Sequence, residues 1–171
     1  MNMRPIIIIG FMGSGKTSVA RALARMLSCR AIDLDQWIAD SERRTPKAII
    51  EQDGEPAFRE IETRSLRQVL AQDGELVIAL GGGAWTLPGN RDLIAQHNGF
   101  SVWLDALFEL CWQRIAAPGN QRPLARDKEQ AQMLYAERLT LYKLAALHVL
   151  AEEGQGVDDL ASTIANALRK R

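Results

Sequence analysis

A glycine-rich segment near the start of the chain has the residue types of a phosphate-binding loop. Residues 10–17 read GFMGSGKT and fit G-x-x-x-x-G-K-[ST] at every specified position. Glycines let backbone N–H groups curl towards phosphate oxygens, and the helix that follows adds its positive N-terminal end. Lys16 can then reach the β- and γ-phosphates, and the Thr17 hydroxyl can bind Mg²⁺. The residues that we predict to bind ATP here are Gly13, Ser14, Gly15, Lys16, Thr17 and Ser18.

The sequence around this segment argues against the alternative of a glycine-rich turn without a ligand. The segment follows a β-branched run at 6–9 and precedes an amphipathic helix, and this strand–loop–helix context is the one that the motif requires. We therefore predict a nucleotide site, with Lys16 as a catalytic cation. The motif itself leaves the phosphate acceptor open.

Two carboxylates, Asp33 and Asp35, follow the second predicted strand. The carboxyl ends of parallel strands face the ligand crevice, so both side chains are expected there. One carboxylate can hold Mg²⁺ through its water shell, while the other aligns a substrate hydroxyl for attack. The competing interpretation is that Asp35 caps the next helix and Asp33 is solvated. These two residues alone do not separate the interpretations.

A third feature is an arginine–glutamate pair in the segment GEPAFREIE at 54–62. Arg59 and Glu62 are three positions apart and share a helix face, so Glu62 can orient the guanidinium. An arginine held in this way suits bidentate binding of a carboxylate. A surface ion pair is the commoner role of such residues.

Two further segments have the residue types of ligand-binding loops. Gly81, Gly82 and Gly83 follow a predicted strand, where missing Cβ atoms would let the backbone approach a ligand; a plain flexible turn is the alternative. Arg122 lies in a polar stretch, at about 118–128, that we predict to be a mobile lid. A lid arginine would neutralise the transferred phosphate, whereas an ordinary loop arginine would not.

The hydrophobic pattern predicts the elements that position these residues. Strands alternate with helices, which indicates one three-layer α/β domain over 1–171, with a five-stranded parallel sheet covered on both faces. The predicted strands are 6–9, 31–33, 76–80, 100–104 and 148–150. The predicted helices are 16–27, one from 35, one from 46, 55–71, 91–97, 107–115, one ending at 142, and 157–168.

Composition narrows the class of protein. The chain has 171 residues with a formal net charge of zero, which disfavours a surface dedicated to nucleic acid. The apolar run at 6–9 is much shorter than a secretory or membrane-spanning segment. Cys29 and Cys111 are far apart and fit reduced thiols. We expect a cytoplasmic monomer that acts on a small molecule and has no nucleic-acid or membrane partner.

Taken in this order, the segments resemble the shikimate kinase family. The matching stretches lie between residues 10 and 142 and read GFMGSGKTS, DLD, DGEPAFREIE, ALGGGAW, QRPLA and, less well, ERLTLY. The resemblance implies a P-loop kinase fold with substrate-binding helices at about 35–71. It also implies transfer of the γ-phosphate of ATP, with Mg²⁺, to the 3-hydroxyl of shikimate.

The resemblance further implies a role for each acceptor-side residue. Asp33 would hold the metal through water, and Asp35 would bind the acceptor hydroxyls and serve as the base. Arg59 and Arg138 would hold the carboxylate of shikimate. Phe58 would form a wall of the pocket.

The remaining implied roles concern the glycine triplet and the nucleotide. The backbone around Gly82 would contact a substrate hydroxyl. Arg114 would lie near the adenine, and Arg122 would be the lid arginine.

The chain departs from the family pattern at three positions. Ile50 stands where the family often has phenylalanine, so one aromatic wall of the pocket is expected to be missing. Thr140 replaces a common proline and Leu147 a common aspartate. The alternatives are a kinase of another hydroxy acid of the gluconate type, and a nucleotide-binding regulatory module without transfer activity. A nucleoside monophosphate kinase shares the architecture, but no segment favours a nucleobase pocket.

Overall fold

The protein folds around a five-stranded parallel sheet with the strand order β2-β3-β1-β4-β5. The computed structural model describes residues 4–117 and 127–170. The strands are β1 (Ile6–Ile9), β2 (Arg30–Asp33), β3 (Leu76–Ala79), β4 (Phe100–Ala106) and β5 (Leu147–Ala151). The helices are α1 (Lys16–Leu27), α2 (Leu34–Glu42), α3 (Pro46–Asp53), α4 (Glu55–Leu70), α5 (Pro88–Gln96), α6 (Phe108–Ile115), α7 (Lys128–Tyr142) and α8 (Val157–Arg169). The predicted fold class is confirmed.

The centre of the sheet is β1, which consists of four buried isoleucines. It pairs in parallel with β3 on one side and with β4 on the other, so that Ile7 lies opposite Ile78 and Ser101. A strand covered on both faces reads as a continuous apolar run, which is why this segment is recognisable in the sequence. The loop that follows β1 therefore starts from the central, buried strand of the sheet.

The helices bury apolar faces against this sheet. Helix α1 packs against β3 and α8 and buries Val19 and Leu23, four residues apart on one face. Because α1 is fixed at its body, its first turn, which begins at Lys16, is held beside the end of β1. Within the described ranges, none of the helices has the length and apolar character needed to span a bilayer.

Helices α2, α3 and α4 pack against one another, and two ion pairs lie among them. Arg44, between α2 and α3, contacts Asp53 at the end of α3 with 2.8 Å between Nη2 and Oδ2. Arg64 on α4 contacts Glu42 on α2 at 2.6 Å. These helices are the predicted substrate-binding segment at about 35–71.

Two predicted elements differ from their predicted bounds by more than one residue, and one short element was not predicted. Helix α5 begins at Pro88 instead of Arg91, because proline at the first helical position has a suitable φ and lacks only an N–H that would be unpaired there. Strand β4 continues to Ala106, two residues beyond its predicted end, and a short 3₁₀ turn at Ala84–Thr86 was not predicted. None of these differences moves a predicted site residue.

Candidate active site

Most of the predicted site residues line one cavity of about 460 Å³. It is lined by the loops that follow β1 and β3 and by the end of β2, together with residues of α1, α2, α3, α4 and α7. The convergence follows from topology, since the carboxyl ends of neighbouring parallel strands meet at one edge of the sheet. The predicted residues in its lining are Lys16, Thr17, Asp33, Asp35, Phe58, Arg59, Gly81, Gly82, Gly83 and Arg138.

The phosphate loop has the backbone of an anion-binding turn. Gly13 and Gly15 have φ angles of 77° and 97°, which are left-handed conformations that glycine adopts readily. A Cβ atom at Gly13 would lie 2.7 Å from the carbonyl oxygen of Cys111, so only glycine fits there. The buried Ser14 hydroxyl has no hydrogen-bond partner among the described residues. An unpaired buried hydroxyl is unfavourable, so this loop fits a ligand that supplies phosphate oxygens.

Lys16 and Ser18 occupy different positions relative to the cavity. Lys16 lines it, and its Nζ donates a hydrogen bond of 2.9 Å to the carbonyl oxygen of Phe11 in the same loop. Ser18 is exposed on α1 and is absent from the cavity lining, so its predicted role in binding nucleotide stays a prediction.

The two predicted metal residues contact each other. Thr17 Oγ1 donates to Asp33 Oδ2 at 2.5 Å, which places a hydroxyl and a carboxylate side by side at the cavity. Oxygen donors of this kind suit Mg²⁺, which is commonly bound by one or two carboxylates together with substrate phosphates and water. Among residues 4–117 and 127–170, no cluster of three or more acidic, histidine or cysteine side chains suits a metal held by protein alone. The donor set fits a metal shared with a phosphate ligand.

The competing interpretation of the two aspartates named the wrong cap. Asp33 caps α2, since its Oδ1 accepts from the backbone N–H of Gln36 at 3.2 Å. Asp33 still has the extended backbone of a strand end, whereas Asp35 already lies in the first helical turn. Asp35 is therefore not used as the cap, and its side chain lines the cavity.

Arg59 is held by two carboxylates. Its Nη1 lies 2.7 Å from Glu62 Oε2, and its Nη2 lies 2.8 Å from Glu55 Oε1. The Glu62 side chain is only 1% exposed, so this pair is not the surface ion pair of the alternative interpretation. The guanidinium faces the cavity in an orientation fixed from two sides. The contribution of Glu55 was not predicted, although its spacing of four from Arg59 is a recognisable signal.

The glycine triplet lies directly against the charged side chains of the site. A Cβ atom at Gly81 would lie 2.9 Å from Glu62 Oε1 and 3.0 Å from Asp35 Oδ1. At Gly83 it would lie 2.7 Å from Cζ of Arg59. None of the three glycines has a left-handed φ, so turn flexibility does not explain them. They are glycines because the charged side chains need the space.

Arg138 reaches the same place from α7. It is 5% exposed, and its Nη1 would be 3.2 Å from a Cβ at Gly82. Phe58, also buried, forms part of the cavity wall on α4. The structure thus brings Arg59 and Arg138 to one cavity although 79 positions separate them in the sequence.

The glycine loop is tied to α7 by two hydrogen bonds that sequence reasoning missed. Tyr142 Oη donates to the carbonyl oxygen of Gly82 at 2.7 Å, and Trp85 Nε1 donates to that of Leu141 at 2.8 Å. Burial raises the pKa of Tyr142 to about 12, against the opposing effect of Arg138, so the hydroxyl remains a donor. Arg138 and Tyr142 are four positions apart, and this helical spacing could have suggested that they act together.

Arg114 is absent from the cavity lining but contacts the phosphate loop. It is exposed on α6, and its Nη1 donates to the carbonyl oxygen of Gly13 at 2.9 Å. Its contact with adenine stays a prediction. Arg122 and most of the predicted lid fall outside the described residues. Ile50 lines the cavity, as expected for a pocket wall, whereas Thr140 and Leu147 are absent from its lining.

Glu62 is the buried carboxyl group of the site. Burial raises its pKa to about 7, against the lowering effects of Arg59 and Arg138, and the charge of Asp35 raises it further. In the unfolded chain its pKa is near the ordinary value of 4.5. The folded state therefore binds a proton more tightly than the unfolded state, and the resulting stability is complete below pH 4.5 and is lost as the pH rises through 7.

We expect the Glu62→Gln protein to lose this pH dependence. Between pH 5.5 and 8, titration of Glu62 should lower the free energy of unfolding of the wild type by about 2 kcal/mol, and the glutamine variant should lack this decrease. Urea denaturation at the two pH values measures it. Glu55→Gln, which alters the exposed partner of the same arginine, is the matched control and should keep the wild-type dependence. A Glu62→Gln protein with the full wild-type decrease would show that Glu62 does not titrate in this range.

Comparison with known proteins identifies the family. A family model described as shikimate kinase matches residues 12–169. A shikimate kinase of Cereibacter sphaeroides is 37% identical over 171 residues, covering 98% of this chain and 84% of that protein. One from Sulfurihydrogenibium sp. is 34% identical over 151 residues, covering 88% of this chain and 90% of that protein.

Solved structures agree with this result. The structure of a shikimate kinase from Acinetobacter baumannii in complex with shikimate has a TM-score of 0.89 at 34% identity, over 98% of this chain and 94% of that one. A gluconokinase from Sinorhizobium meliloti has a TM-score of 0.65 at 18% identity, over 98% of this chain and 96% of that one, and shows a shared fold only. With the family model matched over most of its length, this chain belongs to the shikimate kinase family.

Proposed function

We propose that this protein transfers the γ-phosphate of ATP to the 3-hydroxyl of shikimate. The observation that carries the proposal is the shared cavity, in which Lys16 of the phosphate loop, Asp35, and the two arginines Arg59 and Arg138 all line one space. A hydroxy acid bound there would have its carboxylate near two cations and a hydroxyl near a carboxylate. Family membership and the shikimate-bound relative support the choice of acceptor.

The residues that bind the acceptor would act by positioning it for attack. Arg59, oriented by Glu62 and Glu55, can present two N–H groups in the plane that a carboxylate accepts. Arg138 would complete the clamp from the other side of the glycine triplet. Asp35 would accept the proton of the attacking hydroxyl, or align it, which is the contribution expected from a positioned carboxylate.

The residues that bind ATP would act by neutralising the charge of its phosphates. Phosphoryl transfer spreads negative charge over the transferred group, so cations aimed at it lower the barrier. Lys16 would supply one such charge, and the loop with Ser14 would hold the phosphates. Thr17 and Asp33 would hold Mg²⁺, which when bound neutralises phosphate charge. In this proposal Arg122 adds a cation from a lid at about 118–128.

We also propose that the protein works as a single domain and a monomer in the cytoplasm. Its balanced net charge supports a small-molecule substrate over a nucleic acid. Helices α2–α4 would form the acceptor side of this domain, because all three contribute cavity residues and pack against one another.

An acceptor panel tests the proposal. ADP release should be measured with shikimate, gluconate and the methyl ester of shikimate. We expect shikimate to give the highest kcat/KM and the ester to be about 10- to 100-fold poorer, because a hydrogen-bonded carboxylate contact is lost. The Arg59→Lys variant should use shikimate less well than the wild type although it keeps the positive charge, since lysine lacks the planar pair of donors.

Two results of this panel would contradict the proposal in different ways. If gluconate gave the highest kcat/KM, the proposed acceptor would be wrong, but the proposal of a kinase would be supported. If acid and ester were equally good, Arg59 and Arg138 would not bind the carboxylate.

A further inference from the structure

Among the described residues that line the cavity, two cationic side chains have no role in the proposed mechanism, Arg21 on α1 and Lys47 on α3. The lining includes five cations and three carboxyl groups, so an anionic acceptor meets a positive surface. The cations are Lys16, Arg21, Lys47, Arg59 and Arg138, and the carboxyl groups are those of Asp33, Asp35 and Glu62. Lys47 belongs to α3, which also contributes Ile50 to the cavity lining.

Local stability does not account for Lys47. It lies in the first turn of α3, where the positive end of the helix disfavours a cation. Its pairing with Glu51 is at the outer limit for an ion pair, with 3.9 Å between Nζ and Oε1, and the two side chains are 47% and 59% exposed. Lysine preceding glutamate by four positions is also the less favourable order. This contact contributes little to stability.

The start of α3 is nevertheless fixed next to the cavity. Thr45 caps the helix, with its Oγ1 accepting from the backbone N–H of Ala48 at 3.2 Å. Thr45, Pro46 and Lys47 all line the cavity, so the backbone that carries Lys47 forms part of its rim. Because the lysine side chain is half-exposed, its ammonium remains hydrated at this rim and acts through its charge.

We propose that Lys47 is a specificity-determining residue that attracts the carboxylate of the acceptor to the α3 side of the cavity. The inference rests on the proposed function, because it assumes an acidic acceptor. Charges at a rim act mainly on the rate of capture and on its salt dependence. Lys47 should therefore favour acids over neutral analogues without taking part in the transfer step.

The experiment compares wild type, Lys47→Gln and Lys170→Gln. Lys170 follows α8, is exposed and is absent from the cavity lining, so its variant controls for loss of one positive charge. We expect Lys47→Gln to lower kcat/KM for shikimate about three- to tenfold at low salt, the effect of one partly screened charge, with kcat within about twofold of wild type. The loss should shrink at about 0.5 M salt, and kcat/KM for the methyl ester should not change.

Several results would overturn the inference. An equal loss for acid and ester would mean that Lys47 shapes the cavity instead of attracting charge, and a large fall in kcat would place it in the transfer step. No change relative to Lys170→Gln would remove it from acceptor capture altogether. These results leave the proposed function intact as long as wild type phosphorylates shikimate; a wild-type protein without that activity would refute both.

Discussion

Replacing Asp35 with asparagine is expected to lower turnover of shikimate at least about a hundredfold while ATP affinity stays close to wild type. The amide keeps the shape of the side chain but cannot accept the proton of the attacking hydroxyl. Asp35 Oδ1 lies against the backbone of Gly81, where a larger group would not fit, so the isosteric change is the least disruptive one. Nucleotide binding should persist because Asp35 is proposed to act on the acceptor hydroxyl and not on the phosphates.

The measurement is single-turnover transfer combined with an ATP titration, with Asp33→Asn as the matched control. The amide oxygen of asparagine at 33 can still accept from the backbone N–H of Gln36, so α2 should remain capped, while its NH2 group would face Thr17 Oγ1 as a donor. This control should need more Mg²⁺ for half-maximal rate, in contrast to Asp35→Asn. Weaker ATP binding with unimpaired acceptor use in Asp35→Asn would reverse the division of roles between the two aspartates.

Lys16→Ala is the second change with a large expected effect, a loss of at least about a hundredfold in turnover. The ammonium is the cation that the phosphate loop directs towards the transferred group, and removing one such charge acts mainly on the transition state. The fold should be retained, because the side chain lines the cavity and is not part of the apolar core. The thermal midpoint should therefore stay near that of wild type.

Steady-state kinetics and a thermal melt of the same preparation test this prediction. Lys143→Ala is a suitable control, since Lys143 is exposed after α7 and is absent from the cavity lining. It should leave turnover unchanged. A folded Lys16→Ala protein with near-normal turnover would refute the assignment of the phosphate site.

The sequence allowed most of the fold to be predicted because its signals are local. Four isoleucines before a glycine-rich loop identify β1, and the spacing of Val19 and Leu23 identifies α1. The start of α5 was missed because proline is typical both of turns and of the first position of a helix, and the sequence does not distinguish them.

Most of the predicted site residues lie in one cavity, but the contacts among them were harder to predict from the sequence. Arg59 and Glu62 were paired correctly because three positions on a helix fix their proximity. The competing interpretation placed the helix cap at Asp35 instead of Asp33. The end of β2 decides which aspartate keeps an extended backbone, and strand ends are poorly defined by sequence. The contacts of Tyr142 and Trp85 join segments far apart in the chain, and no local pattern indicates them.

These last two contacts bear on how the protein can be recombined with its relatives. The carbonyl oxygen of Gly82 is hydrogen-bonded to Tyr142, and that of Leu141 to Trp85. The loop after β3 and helix α7 should therefore be exchanged together, as one block. A chimaera that takes α7 from a relative but keeps the native loop would have to match hydrogen bonds across the junction. Crossovers placed between α1 and α2 avoid this block, but they separate Thr17 from Asp33, so the hydrogen bond between these two residues would have to be kept across that junction.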